Sequence, residues 1–278
     1  MRKIIPVFLI FLFCAAASFA GESFINQKDG WYKVKVSAES GMLIISSHSI
    51  QFGKEGTLFD YKEEGNQDVI FPFMRFEAEL RLFKTHSVVF LYQPLKIVTK
   101  ARAGRELSFY DISFSEGTPL DIKYGFSFYR VSYLWNFIKD DKNELGAGVS
   151  LQFRNASIIF AGSAGEKIIV NENVGPVPIL KLKGEYHFDN GLWCGIDADG
   201  FYASDSIFNG ADYPFTGAIW DVSFRAGLEM KNGVNPYINF RCLGGGAKGT
   251  SQGEDTQGDG YTENWLNTYS LTLGILID

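Results

Sequence analysis

From Trp31 onward the chain is written with a period of two. Residues 178–188 set Leu180, Leu182, Tyr186 and Phe188 on one side and Lys181, Lys183, Glu185 and His187 on the other. Residues 218–230 set Ala218, Trp220, Val222, Phe224, Ala226, Leu228 and Met230 against Asp221, Ser223, Arg225 and Glu229. Residues 70–82 do the same with Phe76, Ala78, Leu80 and Leu82 against Arg75, Glu77, Glu79 and Arg81. Successive side chains of a strand point to opposite faces, so this alternation predicts strands with one apolar and one polar face. No comparable stretch keeps the 3.6-residue period of an amphipathic helix.

Short turn signals fall at Lys84-Thr85-His86, Asp140-Asp141-Lys142-Asn143, Asp189-Asn190-Gly191 and Lys231-Asn232-Gly233. The last two contain Asn-Gly, whose tolerance of positive φ closes tight hairpins. Longer polar connections separate them, at 53–67, 102–119, 162–174, 204–214 and 247–261. In an up-and-down sheet every second connection lies at the same end. Four short turns at one end and five long loops at the other predict about ten strands, eight to twelve at the limits. The expected spans are 31–52, 68–83, 87–101, 120–138, 144–161, 175–188, 191–203, 215–230, 233–246 and 262–277. Most exceed the ~9–11 residues that cross a bilayer at a tilt.

The polar face carries charges of both signs at most strand centres, and the apolar face mixes aliphatic and large aromatic side chains. Soluble sandwiches use strands of about five or six residues with a polar outer face. A closed barrel in lipid needs the reverse: apolar outside, ionic inside and no unpaired edge. The fold class expected is all-β, a closed antiparallel up-and-down transmembrane β-barrel.

Composition narrows the alternatives. Aromatics make up 15%, with 25 Phe and 13 Tyr, which argues against disorder. The longest apolar run lies within residues 4–17, and nothing later approaches the ~20 residues of a spanning helix. Net charge is −6, so no nucleic-acid partner is expected. Arg2 and Lys3 precede the apolar run, and Ser18 and Ala20 flank Phe19. This is the pattern of a secretory signal peptide, residues 1–20, cut after Ala20 and followed by a barrel domain over 21–278. Cleavage removes two cations and leaves an acidic exported chain.

The closing segment Tyr269-Ser270-Leu271-Thr272-Leu273-Gly274-Ile275-Leu276-Ile277-Asp278 resembles the terminal strand signal of Gram-negative outer-membrane β-barrel proteins, with Asp278 where an aromatic residue is usual. Val174-Gly175-Pro176-Val177-Pro178 and the stretch from Arg241 to Ala247 are similar to segments of uncharacterised exported barrels. The resemblance covers residues 31–278 and implies the cell outer membrane, with its lipid and the barrel assembly machinery as partners. It implies no activity, and the oligomeric state stays open.

The expected lumen-lining set is Arg75, Glu77, Glu79, Arg81, Arg154, Lys181, Lys183, Glu185, Asp197, Asp199, Asp221, Arg225, Glu229 and Arg241, with Lys33 and Lys35 in the same phase. One reading is a porin-like polar path for a small solute or ion; the other is mutually neutralising pairs that plug a narrow barrel. Buried charges demand partners, and the mixed signs fit the second. His48, in Ser46-Ser47-His48-Ser49, is the histidine of the long-loop end and the place to look for a base at an outer-rim acyl-transfer site. Its sequence neighbours point to the opposite face, so it is expected to be a solvated rim histidine. No local signature of omptin-like proteases, lipid A acyltransferases or deacylases, or outer-membrane phospholipases is present.

Asp255-Thr256-Gln257-Gly258-Asp259-Gly260 resembles the first half of a calcium loop, but Leu266 stands where a bidentate Glu is needed, so an acidic loop is expected. Gly244-Gly245-Gly246 reads as a bend or loop exit at the end of the ninth strand. Trp220, Trp265, Tyr202 and Tyr269 are interfacial or surface aromatics. Cys194 and Cys242 fall on strands with one strand between them, about 10 Å apart, and are expected to be unpaired thiols facing lipid. No catalytic residue, metal or cofactor is expected. Three functions remain open: a non-enzymatic envelope component or narrow conduit, a barrel enzyme acting on lipid or peptide at the outer rim, and a soluble exported β-protein.

Overall fold

The computed structural model describes residues 31–163, 165–172, 176–207, 213–250 and 257–278, without the side chains of 154–156, 171 and 172. The leader read at 1–20 lies outside these residues. In chain order the strands are β1 (Tyr32–Phe52), β2 (Phe59–Asp60), β3 (Ile70–Leu82), β4 (His86–Gln93), β5 (Lys96–Arg102), β6 (Leu107–Phe109), β7 (Ile112–Phe114), β8 (Pro119–Lys139), β9 (Asn143–Gly162), β10 (Lys167–Glu172), β11 (Val177–His187), β12 (Leu192–Ser204), β13 (Phe215–Leu228), β14 (Val234–Thr250) and β15 (Tyr261–Ile277).

Ten wall strands make the barrel: β1, β3, β4 continued by β5, β8, β9 and β11 to β15. Each pairs antiparallel with its neighbours, and β1 closes on β15 from Val36–Ile277 to Phe52–Thr262. The expected spans each fall on a wall strand. Short turns close as their residues dictate: Gly191 and Gly233 take φ of 82° and 73°.

The outward positions form an apolar belt. On β8 it runs from Tyr129 through Val131, Tyr133 and Trp135 to Phe137, all at least 41% exposed, over about 26 Å of strand. Beyond it, toward the long loops, come Ser127, Lys123 and Asp121. On β1 the belt ends at Met42 and Ile44, after which Ser46, Ser47, Ser49 and Gln51 face outward. A side chain at this density of apolar exposure is stable only against lipid.

Three expectations are corrected. The long connections are not plain polar loops: β2 pairs with β1, β10 with β9, and β6 with β7 in a separate hairpin. The glycine run is inside β14, which continues to Thr250. A Cβ on Gly244 would sit 2.4 Å from the Trp220 ring, and one on Gly246 would sit 2.6 Å from the Trp265 ring. Bare backbone is what lets these indoles lie across the strand. Finally, the β1–β15 ladder slips at Ser46, between Ile45–Thr268 and Ser47–Asn267. A bulge reverses the faces of the residues after it. Glu39, Leu43 and Ile45 face inward before the bulge; His48, Ile50 and Phe52 face inward after it.

Candidate functional site: a lumen in two storeys

The half of the lumen nearer the short turns is ionic. Among the described side chains, eight cations, Lys35, Arg75, Arg81, Arg130, Lys181, Lys183, Arg225 and Arg241, meet eight carboxylates, Glu39, Glu77, Glu79, Glu144, Glu185, Asp197, Asp199 and Asp221. None of these side chains is more than 16% exposed. Arg75 bridges Glu39 at 2.8 Å and Glu77 at 2.6 Å. Arg81 joins Glu79 to Glu144, and Lys183 reaches Glu79 at 3.2 Å and Glu185 at 3.1 Å. Arg241 grips Asp221 with Nε and Nη2 at 2.5 and 2.6 Å. Arg130 stands between Asp221 at 2.9 Å and Asp199 at 3.1 Å. Desolvating one such charge costs several kcal/mol, about what a close, hydrogen-bonded partner returns, so equal numbers of each sign are what such a lumen tolerates.

Twelve residues of the expected set lie in this network: Arg75, Glu77, Glu79, Arg81, Lys181, Lys183, Glu185, Asp197, Asp199, Asp221, Arg225 and Arg241, with Lys35 beside them. Glu229 is corrected. It follows the end of β13, half exposed at the short-turn rim, where its Oε1 lies 2.7 Å from His187 Nδ1. Lys33 is a rim residue as well, paired to Asp278 at 2.9 Å. The side chain of Arg154 lies outside the described residues. Glu39, Arg130 and Glu144 were missed. Glu39 shares the phase of Lys33 and Lys35, and Arg130 lies inward between outward Tyr129 and Val131, so alternation would have found both.

The storey under the long loops is apolar. Wall residues Leu43, Ile45, Ile50, Phe52, Phe73, Leu95, Ile97, Tyr124, Ile158 and Phe160 surround Phe59 and Tyr61 from the first long loop and Leu107, Phe109 and Phe114 from the β6–β7 hairpin. Ring centroids of Phe109 and Phe160 are 4.7 Å apart, and those of Phe59 and Phe160 are 5.2 Å apart. Backbone bonds tie the plug down: Thr57 donates to Ser108 O at 2.7 Å, and Tyr110 donates to Phe52 O at 3.2 Å. At the junction of the storeys, Leu95, Tyr124, Phe128, Gln152, Ile219 and Leu266 line a cavity of about 30 Å³. A second, about 20 Å³, sits among Lys35, Glu77, Glu185, Trp193 and Tyr237. A water needs ~10–15 Å³, so the first has room for about two or three and the second for about one or two.

His48 belongs to this plug, which corrects the solvated reading. It is fully buried, stacked on Tyr61 at 3.7 Å between centroids with 4° between planes, and edge-on to Tyr124 at 4.3 Å. Its Nδ1 is 2.7 Å from Gln67 Oε1. It lies beyond the apolar belt, and burial pushes its pKa down to about 4. The bulge is the reason: Ser46 and Ser47 both stay outside, where Ser46 Oγ donates to Asn267 O and Ser47 Oγ accepts from Asn267 Nδ2. Among the described residues the other ring nitrogen, Nε2, has no hydrogen-bond partner.

The calcium-like stretch is a loop clasp in the part that is described; residues 255 and 256 lie outside it. Asp259 Oδ2 accepts from the Lys54 amide at 2.8 Å and Oδ1 from the Tyr261 amide at 3.0 Å. These donors hold its carboxyl below the usual range. Among the described residues no group of three His, Cys, Asp or Glu is placed to hold a metal ion. Cys194 is exposed, Cys242 half-buried, and both are free.

No protein-family model and no curated protein matches the sequence. Solved structures match in shape. The outer membrane protease OmpT from Escherichia coli is similar with a TM-score of 0.50 at 11% identity, over 88% of this chain and 96% of that one. The transport unit of the autotransporter AIDA-I from Escherichia coli has a TM-score of 0.40 at 11% identity, over 96% and 97%. The NanC porin has 0.34 at 11% identity, over 88% and 99%. At such identities the likeness is one of fold. Together with the lipid-facing belt it defines the class: this is an outer-membrane β-barrel protein of ten strands.

Proposed function

We propose that the protein is a non-enzymatic component of the outer membrane whose barrel is sealed in its resting state, not an open pore. The observation that carries this is the network of eight cations and eight carboxylates that pair across the lumen among the described side chains. The aromatic plug above it supports the same reading. Ten strands enclose little more than side chains, and here those side chains are paired or packed. The rim-enzyme alternative loses its base. His48 is buried, and the two other histidines, His86 and His187, stand at the short-turn end.

Planar-bilayer recording of the refolded full barrel tests the proposal. The expected result is no steady unitary conductance above the bare membrane at either polarity. A constant open level in the unmodified protein would refute sealing and restore the conduit reading.

A further inference from the structure

β3 pairs with β4 from Leu82–His86 to Phe76–Tyr92, and β5, which continues β4, pairs with β8 alone. The cause is written in the sequence. The Phe126 amide donates to Leu95 O at 2.8 Å, so odd residues of the β4–β5 strand turn their backbone groups to β8 and even ones to β3. The Phe83 amide donates to Trp31 O at 2.8 Å, so odd residues of β3 face β1 and even ones face β4–β5. The next two rungs of the ladder fall at Met74–Pro94 and Pro72–Lys96. Each requires an amide that proline lacks, and one proline stands on each side. The wall therefore carries a seam.

The seam rises from the edge of the apolar belt into a cationic patch. Below lie Phe90, Tyr92 and Tyr129, with Tyr92 and Tyr129 stacked at 4.8 Å. Above, Lys96, Lys100 and Arg102 on β5, Lys123 on β8 and Lys167 on β10 face outward. Lys123 stands opposite Val98, with Lys96 and Lys100 on its diagonals about 7–8 Å away. Lys100, Asp121, Ala161 and Lys167 form one row across four strands. Asp121 binds Lys100 at 3.4 Å with both side chains largely exposed. Among the described residues, no carboxylate lies within ion-pair distance of Lys96, Arg102, Lys123 or Lys167. This is a cationic surface on an acidic chain of net charge −6.

We infer that this face docks a phosphorylated lipid of the outer leaflet, its phosphates among Lys96, Lys100 and Lys123 and its acyl chains along Phe90, Tyr92 and Tyr129. Long loops face outward in barrels of this class, so the patch stands at the level of the outer headgroups. Charge chooses the occupant. A second copy paired across a two-fold axis would set these cations against themselves, whereas a phosphate headgroup neutralises them. The inference rests on the outer-membrane reading.

Native mass spectrometry of the full barrel in detergent, titrated with a bisphosphorylated glycolipid, tests it. The unmodified barrel should retain the lipid, the dephosphorylated glycolipid should bind far less, and Lys96→Glu/Lys100→Glu/Lys123→Glu should bind ~100-fold more weakly. Heat-modifiable migration of each sample reports whether the barrel is folded and inserted. A folded, inserted barrel that binds both lipids alike, or a folded triple variant that binds as the parent does, overturns the docking site alone. Complete displacement by millimolar inorganic phosphate, or a dimer joined through this face, does the same. A chain that never inserts overturns the membrane reading with it.

Discussion

Asp221 is where the ionic storey is most exposed to a single change. Its two oxygens hold Arg241 at 2.5 and 2.6 Å and Arg130 at 2.9 Å, and neither arginine is more than 1% exposed. Asp221→Asn keeps the volume and one acceptor but removes the charge. Arg130 would retain Asp199 at 3.1 Å; Arg241 would keep only neutral oxygens, those of Gln93 and the new amide, with no carboxylate within ion-pair distance among the described residues. Breaking a buried pair from one side costs ~3–5 kcal/mol, because the surviving charge is left desolvated. Asp121→Asn is the control. It removes the same charge from an exposed pair with Lys100, worth ~1 kcal/mol at most. Urea titration in lipid vesicles, followed by heat-modifiable migration and tryptophan emission, reads both. The double variant Asp221→Leu/Arg241→Met keeps the test legible if the single variant does not fold. Apolar replacements need no partner and should recover more than half of the loss. If Asp221→Asn folds within about 1 kcal/mol of the parent, the lumen is wet enough to solvate Arg241, and the sealed reading fails with it.

Two further outcomes are expected. His48 has its pKa lowered from 6.5 to about 4, so the unfolded chain binds the extra proton first. Stability is then fully present above pH 6.5 and falls as pH drops toward 4, by about 3 kcal/mol in all. Limited proteolysis within residues 53–67 across that window should show the loop loosening, and His48→Phe should flatten the profile; cleavage independent of pH in the parent contradicts the buried assignment. Alkylation of the unfolded, unreduced protein should label both Cys194 and Cys242, since both thiols are free. Recovery of a chain with neither label would mean a disulfide and a different strand order.

The wall was legible because lipid imposes one rule on every strand. An apolar belt on one side and a packed lumen on the other leave alternation as the only solution over long spans. Register was legible where a tight turn fixed it. Asp189-Asn190-Gly191 sets Lys181 opposite Asp199 and Lys183 opposite Asp197, and the first pair, read separately on two strands, proves to be an ion pair at 2.9 Å. The upper storey was not legible. Phe59, Tyr61, Phe109 and Phe114 are scattered among polar residues in long connections, and nothing in their spacing says that the loops turn inward. The bulge at Ser46 leaves no trace either, since consecutive serines suit both phases. That one residue moved His48 from the rim to the core.

The ionic storey is an expensive way to fill a barrel, because its pairs return little more than their desolvation costs. What it adds is discrimination between registers. A slip of one residue is already forbidden, since it would turn every apolar side chain from lipid to lumen. A slip of two preserves alternation, and hydrophobicity alone cannot reject it. Charge does. In the native register Lys35 lies opposite Glu79 and Glu39 opposite Arg75. Sliding β3 by two places Lys35 against Arg81 and Glu39 against Glu77, like against like. The same slide between β11 and β12 sets Glu185 opposite Asp197. Sliding the other way trades Arg75 for Phe73 opposite Glu39 and leaves a buried carboxylate without its cation. The network that seals the lumen thus penalises the errors the apolar belt permits, and a neutral lumen of the same volume would seal the barrel without fixing its register.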